Sequence, residues 1–255
     1  MLNTLAQGPE TGRPILIAHG LFGSARNWGA IAKRLSAHRR ILTVDMRNHG
    51  ASAWTDTHRY PDLARDLAEV IEAHGGTADV VGHSMGGKAA MALALSTPAL
   101  VNRLVVADIA PVAYGHSQMP YLHAMRDMDL SGLSSRSRAE ADARLAERIE
   151  DPGIRAFLLQ SLDLKAEPPR WRLNLPTLEA EMDAILGWPD LDGRFEGPVL
   201  MLTGGASDYV RPDHRPRIRA LFPAARFVKL PEAGHWLHAE RPRDFADTVA
   251  AFLSG

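Results

Sequence analysis

Residues 78–95 read ADVVGHSMGGKAAMALAL, and this stretch decides the fold. The apolar run Ala78-Asp79-Val80-Val81 has the composition of a buried strand. Lys88 to Leu95 is a helix-forming run. Between them lies GHSMGG, residues 82–87, with Ser84 at the apex and Gly82 and Gly86 two positions to either side. A strand that turns sharply into a helix brings the two backbones close together, so the flanking positions must lack side chains. The turn lifts the serine hydroxyl above a sheet edge and aims the first N–H groups of the helix at whatever reacts there.

The same residues also spell G-x-x-x-x-G-K from Gly82 to Lys88, most of a phosphate-binding loop. Leu104 to Asp108 would then pass for the strand that carries a magnesium-binding aspartate. The next position speaks against a nucleotide site. A phosphate loop needs Ser or Thr there to hold the metal, and this chain has Ala89.

Outward from the turn, short apolar runs alternate with amphipathic ones. Leu2, Thr4 and Ala6 alternate like a short edge strand. Buried strands are expected at 15–18, 41–44, 104–107 and 198–202, with a further strand at 226–230. Trp28, Ile31 and Leu35 share one helix face. So do Leu63, Leu67, Val70 and Ile71 after Pro61, and Phe245, Val249, Phe252 and Leu253 after Pro242. From about Val112 to Leu191 strand runs give way to helical stretches such as 139–149 and 154–162, broken by prolines. Strands alternating with helices imply a mostly parallel sheet covered on both faces, with ligands beyond the carboxyl ends of the strands. His19-Gly20, Asp45 to Ser52, Ser84, Asp108, Asp208 and His235 all follow such ends and are expected to converge.

Composition narrows the function. A formal net charge of -1 gives no general attraction to nucleic acid or to an anionic membrane surface. With no cysteine, disulfides, thiol catalysis and cysteine-based metal sites are excluded, and a cytoplasmic location fits. Residues 1–14 carry no basic stretch leading into a long apolar core, so no export signal is expected. No apolar run approaches the ~20 residues of a membrane span. No two histidines sit at helical spacing with an acid, so no metal or other cofactor is expected.

Serine needs a base within hydrogen-bond reach to become a nucleophile. Among eleven histidines His235 is the candidate, because it follows a glycine at a strand end late in the chain. His83 reads as a packing residue, and His19 and His49 as pins for strand-end loops. His238 lacks the glycine turn. His38, His58, His74, His116, His123 and His214 fall on helix surfaces or in loops and receive no role. The acid that orients the imidazole is Asp108 or Asp208, each at the end of a strand after Ser84. For the oxyanion, the backbone N–H of Met85 and that of Leu21 are the expected donors, with Phe22 as the fallback. Phe22, Tyr114, Trp171 and Trp236 are candidate pocket residues. Lys88 reads as solvated or paired with a carboxylate. Asp45, Arg47 and Asn48 read as loop-fixing residues.

Taken together, HGLFGS at 19–24, DMRNHGAS at 45–52, GHSMGG at 82–87 and GHW at 234–236 resemble the α/β-hydrolase superfamily over nearly the whole chain. The resemblance implies a sheet core over 1–111 and 192–255, with a helical cap over 112–191 inserted after the sixth strand. Where the superfamily loop usually has glycine, this chain has Asn48, the side chain that best tolerates a left-handed backbone. That variant, with GHSMGGKA and DIAPV, is similar to a branch of small esterases. The similarity favours Asp108 over Asp208 as the acid, and sets Ser207 near the histidine. It implies a serine hydrolase cleaving carboxylic esters of small or medium acyl chains, with a small-molecule acyl ester as its partner. Thioesterase, perhydrolase and carbon–carbon-bond hydrolase chemistry use the same triad. A non-catalytic binding protein on this fold is a further alternative. A serine nucleophile separates the chain from similar dehalogenases and epoxide hydrolases, which need a carboxylate.

Overall fold

The computed structural model describes residues 1–115 and 117–254. His116 therefore lies outside the described residues. Seven strands form the main sheet: β1 (Thr4–Gln7), β2 (Ile15–Ala18), β3 (Ile41–Val44), β4 (Ala78–His83), β5 (Val101–Ala107), β8 (Val199–Gly204) and β9 (Ala225–Leu230), in the spatial order β1-β3-β2-β4-β5-β8-β9. Only β1 runs antiparallel to its neighbour, pairing Thr4 with Val44 at the sheet edge. The other pairings are parallel.

The helices follow from the apolar spacing. α1 (Gly29–Leu35) buries Ile31, Ala32 and Leu35. α2 (Tyr60–Ala73) starts with a proline in its first turn, buries Leu63, Leu67, Val70 and Ile71, and gives way to Gly75 and Gly76. α3 (Met85–Ser96) is buried along almost its whole length. α9 (Arg215–Leu221), α10 (Leu237–Glu240) and α11 (Pro242–Ser254) complete the covering.

Side-chain alternation on the strands divides the core in two. Ile15 and Ile17, Val81, Val105, Leu200 and Leu202 face Trp28, Ile31, Phe245 and Val249 on the side of α1 and α11. Leu16, Leu42, Val44, Val80, Leu104, Val106 and Met201 face the other side, toward α2 and α3. Both faces being covered explains why these strands read as unbroken apolar runs.

Between β5 and β8 the chain forms α4 (Met119–Arg126), α5 (Arg138–Ala146), α6 (Pro152–Leu158), the two-residue strands β6 (Leu162–Asp163) and β7 (Arg170–Trp171), α7 (Leu175–Ala180) and α8 (Met182–Leu186). This helical segment follows the fifth strand of the sheet rather than the expected sixth, because β1 alone precedes β2. The helix expected over 154–162 ends earlier, at Leu158. Leu162 instead pairs with Trp171 in the small antiparallel ribbon.

Candidate active site

Ser84 stands between β4 and α3 with φ 51° and ψ −121°, a conformation that costs a non-glycine residue energy and is held by its surroundings. Its N–H donates to Ala107 O at 3.1 Å. The flanking glycines are a packing requirement. A Cβ on Gly82 would lie 2.3 Å from Gly86 O, and one on Gly86 would lie 2.4 Å from Ala18 O. Strand, turn and helix are thus locked to β2 and β5 on either side.

Three strand ends meet at the serine. His235, in the loop after β9, places Nε2 3.1 Å from Ser84 Oγ and Nδ1 2.8 Å from Asp108 Oδ2. Asp108 follows β5 directly, has φ 52° and is fully buried. Its other oxygen accepts the Gly204 N–H at 3.0 Å, and Ser207 Oγ donates to Oδ2. These bonds hold the carboxylate in one orientation toward the imidazole. Asp208 lies one residue beyond Ser207 but is exposed and makes no hydrogen bond to His235. The hydroxyl of Ser207 reaches Asp108, whereas the Asp208 side chain is exposed to solvent.

The loop after β2 contributes backbone donors. Gly23 N–H closes a turn on Gly20 O at 3.0 Å. Phe22, at φ 64°, donates its N–H to His49 Nε2 at 3.2 Å, which engages the fallback donor elsewhere. Among the described residues, the Leu21 N–H has no acceptor. The Met85 N–H, first in α3, can have none within its helix. These two free donors flank Ser84.

A shell of neutral histidines steadies this arrangement. Burial pushes His19, His49 and His83 below the usual imidazole range, and His58 and His238 down to about 3. Kept neutral, each ring can donate at one nitrogen and accept at the other. His19 Nδ1 donates to Gly20 O at 2.8 Å while Nε2 accepts the Met46 N–H at 2.9 Å. His83 Nε2 donates to the carbonyl of His235 at 2.8 Å, and His58 Nε2 meets Met85 Sδ at 3.1 Å. His238 stacks on Trp28 at 4.3 Å. Asn48, at φ 64°, keeps the left-handed turn, and its side chain binds Thr55 N–H and Asn174 Nδ2. Arg47 is paired with Asp66 at 2.6 Å.

Above the serine opens a cavity of about 300 Å³. Phe22, Tyr114 and Trp236 line it, as does the rest of the loop after β2, together with Ile154, Phe157, Ile185 and Leu186 from the helical segment. Trp171 does not. Its place in β7 sets it beside Gly50 to Ser52, bordering a separate pocket that does not include Ser84. Lys88 differs most from expectation. It is 1% exposed, pairs with no carboxylate, and donates Nζ to Leu186 O at 2.9 Å and Gly187 O at 2.5 Å. Its helix is buried all round, so no solvated face exists for it. His58 and His214, expected on the surface, are also buried, His58 because the Asn48 loop folds over it. Sequence reasoning missed Tyr209, whose ring stacks on His235 at 3.7 Å and 16°. No motif marks it; its position one residue past Asp208 was the only available signal.

Three comparisons bear on this geometry. A family model described as the alpha/beta hydrolase family matches residues 15–248. The chain is 42% identical over 257 residues to the sn-1-specific diacylglycerol lipase ABHD11 of Mus musculus, covering 98% of this chain and 84% of that protein. It is 36% identical over 250 residues to Esterase YbfF of Escherichia coli (strain K12), covering 98% and 96%. A solved structure of a marine microorganism esterase superposes with a TM-score of 0.93 at 35% identity, covering 98% of each chain.

Proposed function

The chain belongs to the alpha/beta hydrolase family and is a carboxylic ester hydrolase, and from that premise we propose that Ser84, His235 and Asp108 are its triad and that short to medium acyl groups occupy its cavity. The observation that carries the reading is the continuous relay from Ser84 Oγ to His235 Nε2 at 3.1 Å and from Nδ1 to Asp108 at 2.8 Å, beneath a cavity of about 300 Å³.

In this mechanism His235 accepts the proton of Ser84 as Oγ attacks the ester carbonyl. The N–H groups of Leu21 and Met85 receive the oxyanion, and Asp108 stabilises the imidazolium. His235 then gives the proton to the departing alkoxide. Water, deprotonated by the same imidazole, cleaves the acyl-serine and releases the acid. No helix among the described residues is long and apolar enough to cross a membrane. We propose that the enzyme works on small-molecule esters in the cytoplasm, a setting that its cysteine-free composition supports. Residues 112–191 would act as the cap that shapes the acyl site.

The test is a p-nitrophenyl ester series from acetate to dodecanoate, with stoichiometric labelling of Ser84 by a fluorophosphonate. A maximum among the short and medium chains is expected. A Ser84→Ala enzyme that hydrolysed the best ester at the parent rate would overturn the reading.

A further inference from the structure

Lys88 is a cation that the relay does not use. It lies on α3 one turn beyond the serine, with its N–H on Ser84 O at 3.0 Å, and its side chain lines the same cavity. Two of its three ammonium protons go to the last carbonyls of α8 and the residue after it, Leu186 and Gly187. The rings of Tyr114 and Tyr60 lie 4.8 and 5.6 Å from Nζ. Both phenols are held protonated by burial, and the Tyr60 hydroxyl is committed to Ile185 O at 2.5 Å. Among the described residues no carboxylate is within ion-pairing distance.

Burying a cation costs several kcal/mol unless something compensates it. Tethering α8 does not require a charge, because a neutral donor would serve the same two carbonyls. The groups shown nearest the ammonium are the carbonyls of Leu186 and Gly187 and the rings of Tyr60 and Tyr114. The cavity that its side chain lines offers an anion a route to the ammonium.

We propose that Lys88 is a specificity-determining residue that binds a carboxylate at the far end of the acyl group, making hemi-esters of dicarboxylic acids the preferred substrate class. This deepens the ester hydrolase reading and rests on Ser84 as the reacting residue. Ser84 and Lys88 lie four residues apart and both line the cavity, so the gap between them is read from a series of hemi-esters of increasing chain length. The ammonium is poised for this role: burial alone pushes it down to about 7. A bound carboxylate would offset that burial and favour the charged form.

Binding to the Ser84→Ala enzyme, followed by calorimetry, tests the inference without turnover. Monomethyl glutarate is expected to bind at least tenfold more tightly than dimethyl glutarate at pH 6.5, with succinate and adipate hemi-esters setting the spacing. At pH 8 its binding is expected to take up protons, measured in buffers of different ionisation enthalpy. Lys88→Met in the same background should erase both the preference and the proton uptake. Equal affinity for the two glutarates, or a preference without proton uptake, would overturn the proposal. If Lys88→Met fails to fold, the two glutarates and the proton count in the parent background decide alone. Failure of the hydrolase reading shows separately, as an absence of Ser84-dependent turnover on the p-nitrophenyl series.

Discussion

The carboxylate of Asp108 lies 2.8 Å from His235 Nδ1, although 127 residues separate the two in the chain. The buried oxygen that meets the ring also accepts from Ser207, and its twin accepts from Gly204. Replacing the carboxylate by an amide keeps the shape but offers the ring a donor where it needs an acceptor. Asp108→Asn is expected to lower kcat by about 10³- to 10⁴-fold with a small change in KM. Asp208→Asn, at an exposed side chain, is expected to stay within about twofold. Steady-state kinetics on one p-nitrophenyl ester compares them. The reverse ranking would reassign the acid.

Tyr209 covers one face of the His235 ring. A stacked aromatic pair contributes about 0.5–1.5 kcal/mol beyond burial, so losing it lets the imidazole sample unproductive rotamers. Tyr209→Ala is expected to reduce kcat by about three- to tenfold, and Tyr209→Phe by less, because the ring remains. A Tyr209→Phe loss as large as that of alanine would transfer the effect to the hydroxyl.

Gly86 touches backbone on the neighbouring strand. A methyl there would meet Ala18 O at 2.4 Å and His19 O at 2.5 Å, neither of which can move without shifting β2. Gly86→Ala is expected to lower the thermal midpoint and to depress activity together, by well over 1 kcal/mol of stability. Gly75→Ala meets no atom within 4 Å, so its effect comes only from its φ of 111° and should be smaller. Parallel thermal melts would separate the two causes.

The buried histidines make stability depend on acidity. His58 and His238 are held neutral down to about 3, while in the unfolded chain they take up protons near 6.5. Between those values the unfolded state binds more protons, so stability rises with pH across the window and is lost as pH falls through it. Two such groups give a slope of roughly 2–3 kcal/mol per pH unit near pH 5. His49 and His83, shifted in the same direction, add to it. Urea titrations at pH 7.0, 6.0 and 5.0 measure the slope. A flat response would show that these rings are reached by protons in the native state.

The helical segment is tied to the sheet core by several hydrogen bonds, three of which bear on its movement. Ser161 Oγ donates to Phe22 O at 2.8 Å, Lys88 holds Leu186 and Gly187, and Asn174 Nδ2 donates to Asn48 Oδ1 at 3.0 Å. A segment pinned at the loop after β2, at α3 and at the Asn48 turn is not expected to swing open as a unit. The rate on tributyrin is expected to rise smoothly through the solubility limit. A jump at the limit would mean that an interface opens the segment.

By itself the sequence determined the local geometry. The spacing of Gly82, Ser84 and Gly86 admits only a tight strand-to-helix turn, since a Cβ on either glycine collides with backbone. Unbroken apolar runs mark strands covered on both sides, and Asn48 marks a left-handed turn, because these are short-range steric and solvation preferences. Tertiary structure decided whatever depends on how distant strands and loops are placed in space. Asp108 and Asp208 are both strand-end carboxylates, and only the packing of β5 beside β8 turns one toward His235 and the other to solvent. Trp171 and Tyr209 are both aromatic residues far from any motif; the fold places one in β7 beside Gly50 to Ser52 and lays the other on the imidazole. Lys88 is the clearest case: a lysine reads as a surface residue until the helix that carries it is enclosed, and the carbonyls that take its ammonium protons lie 98 and 99 residues away.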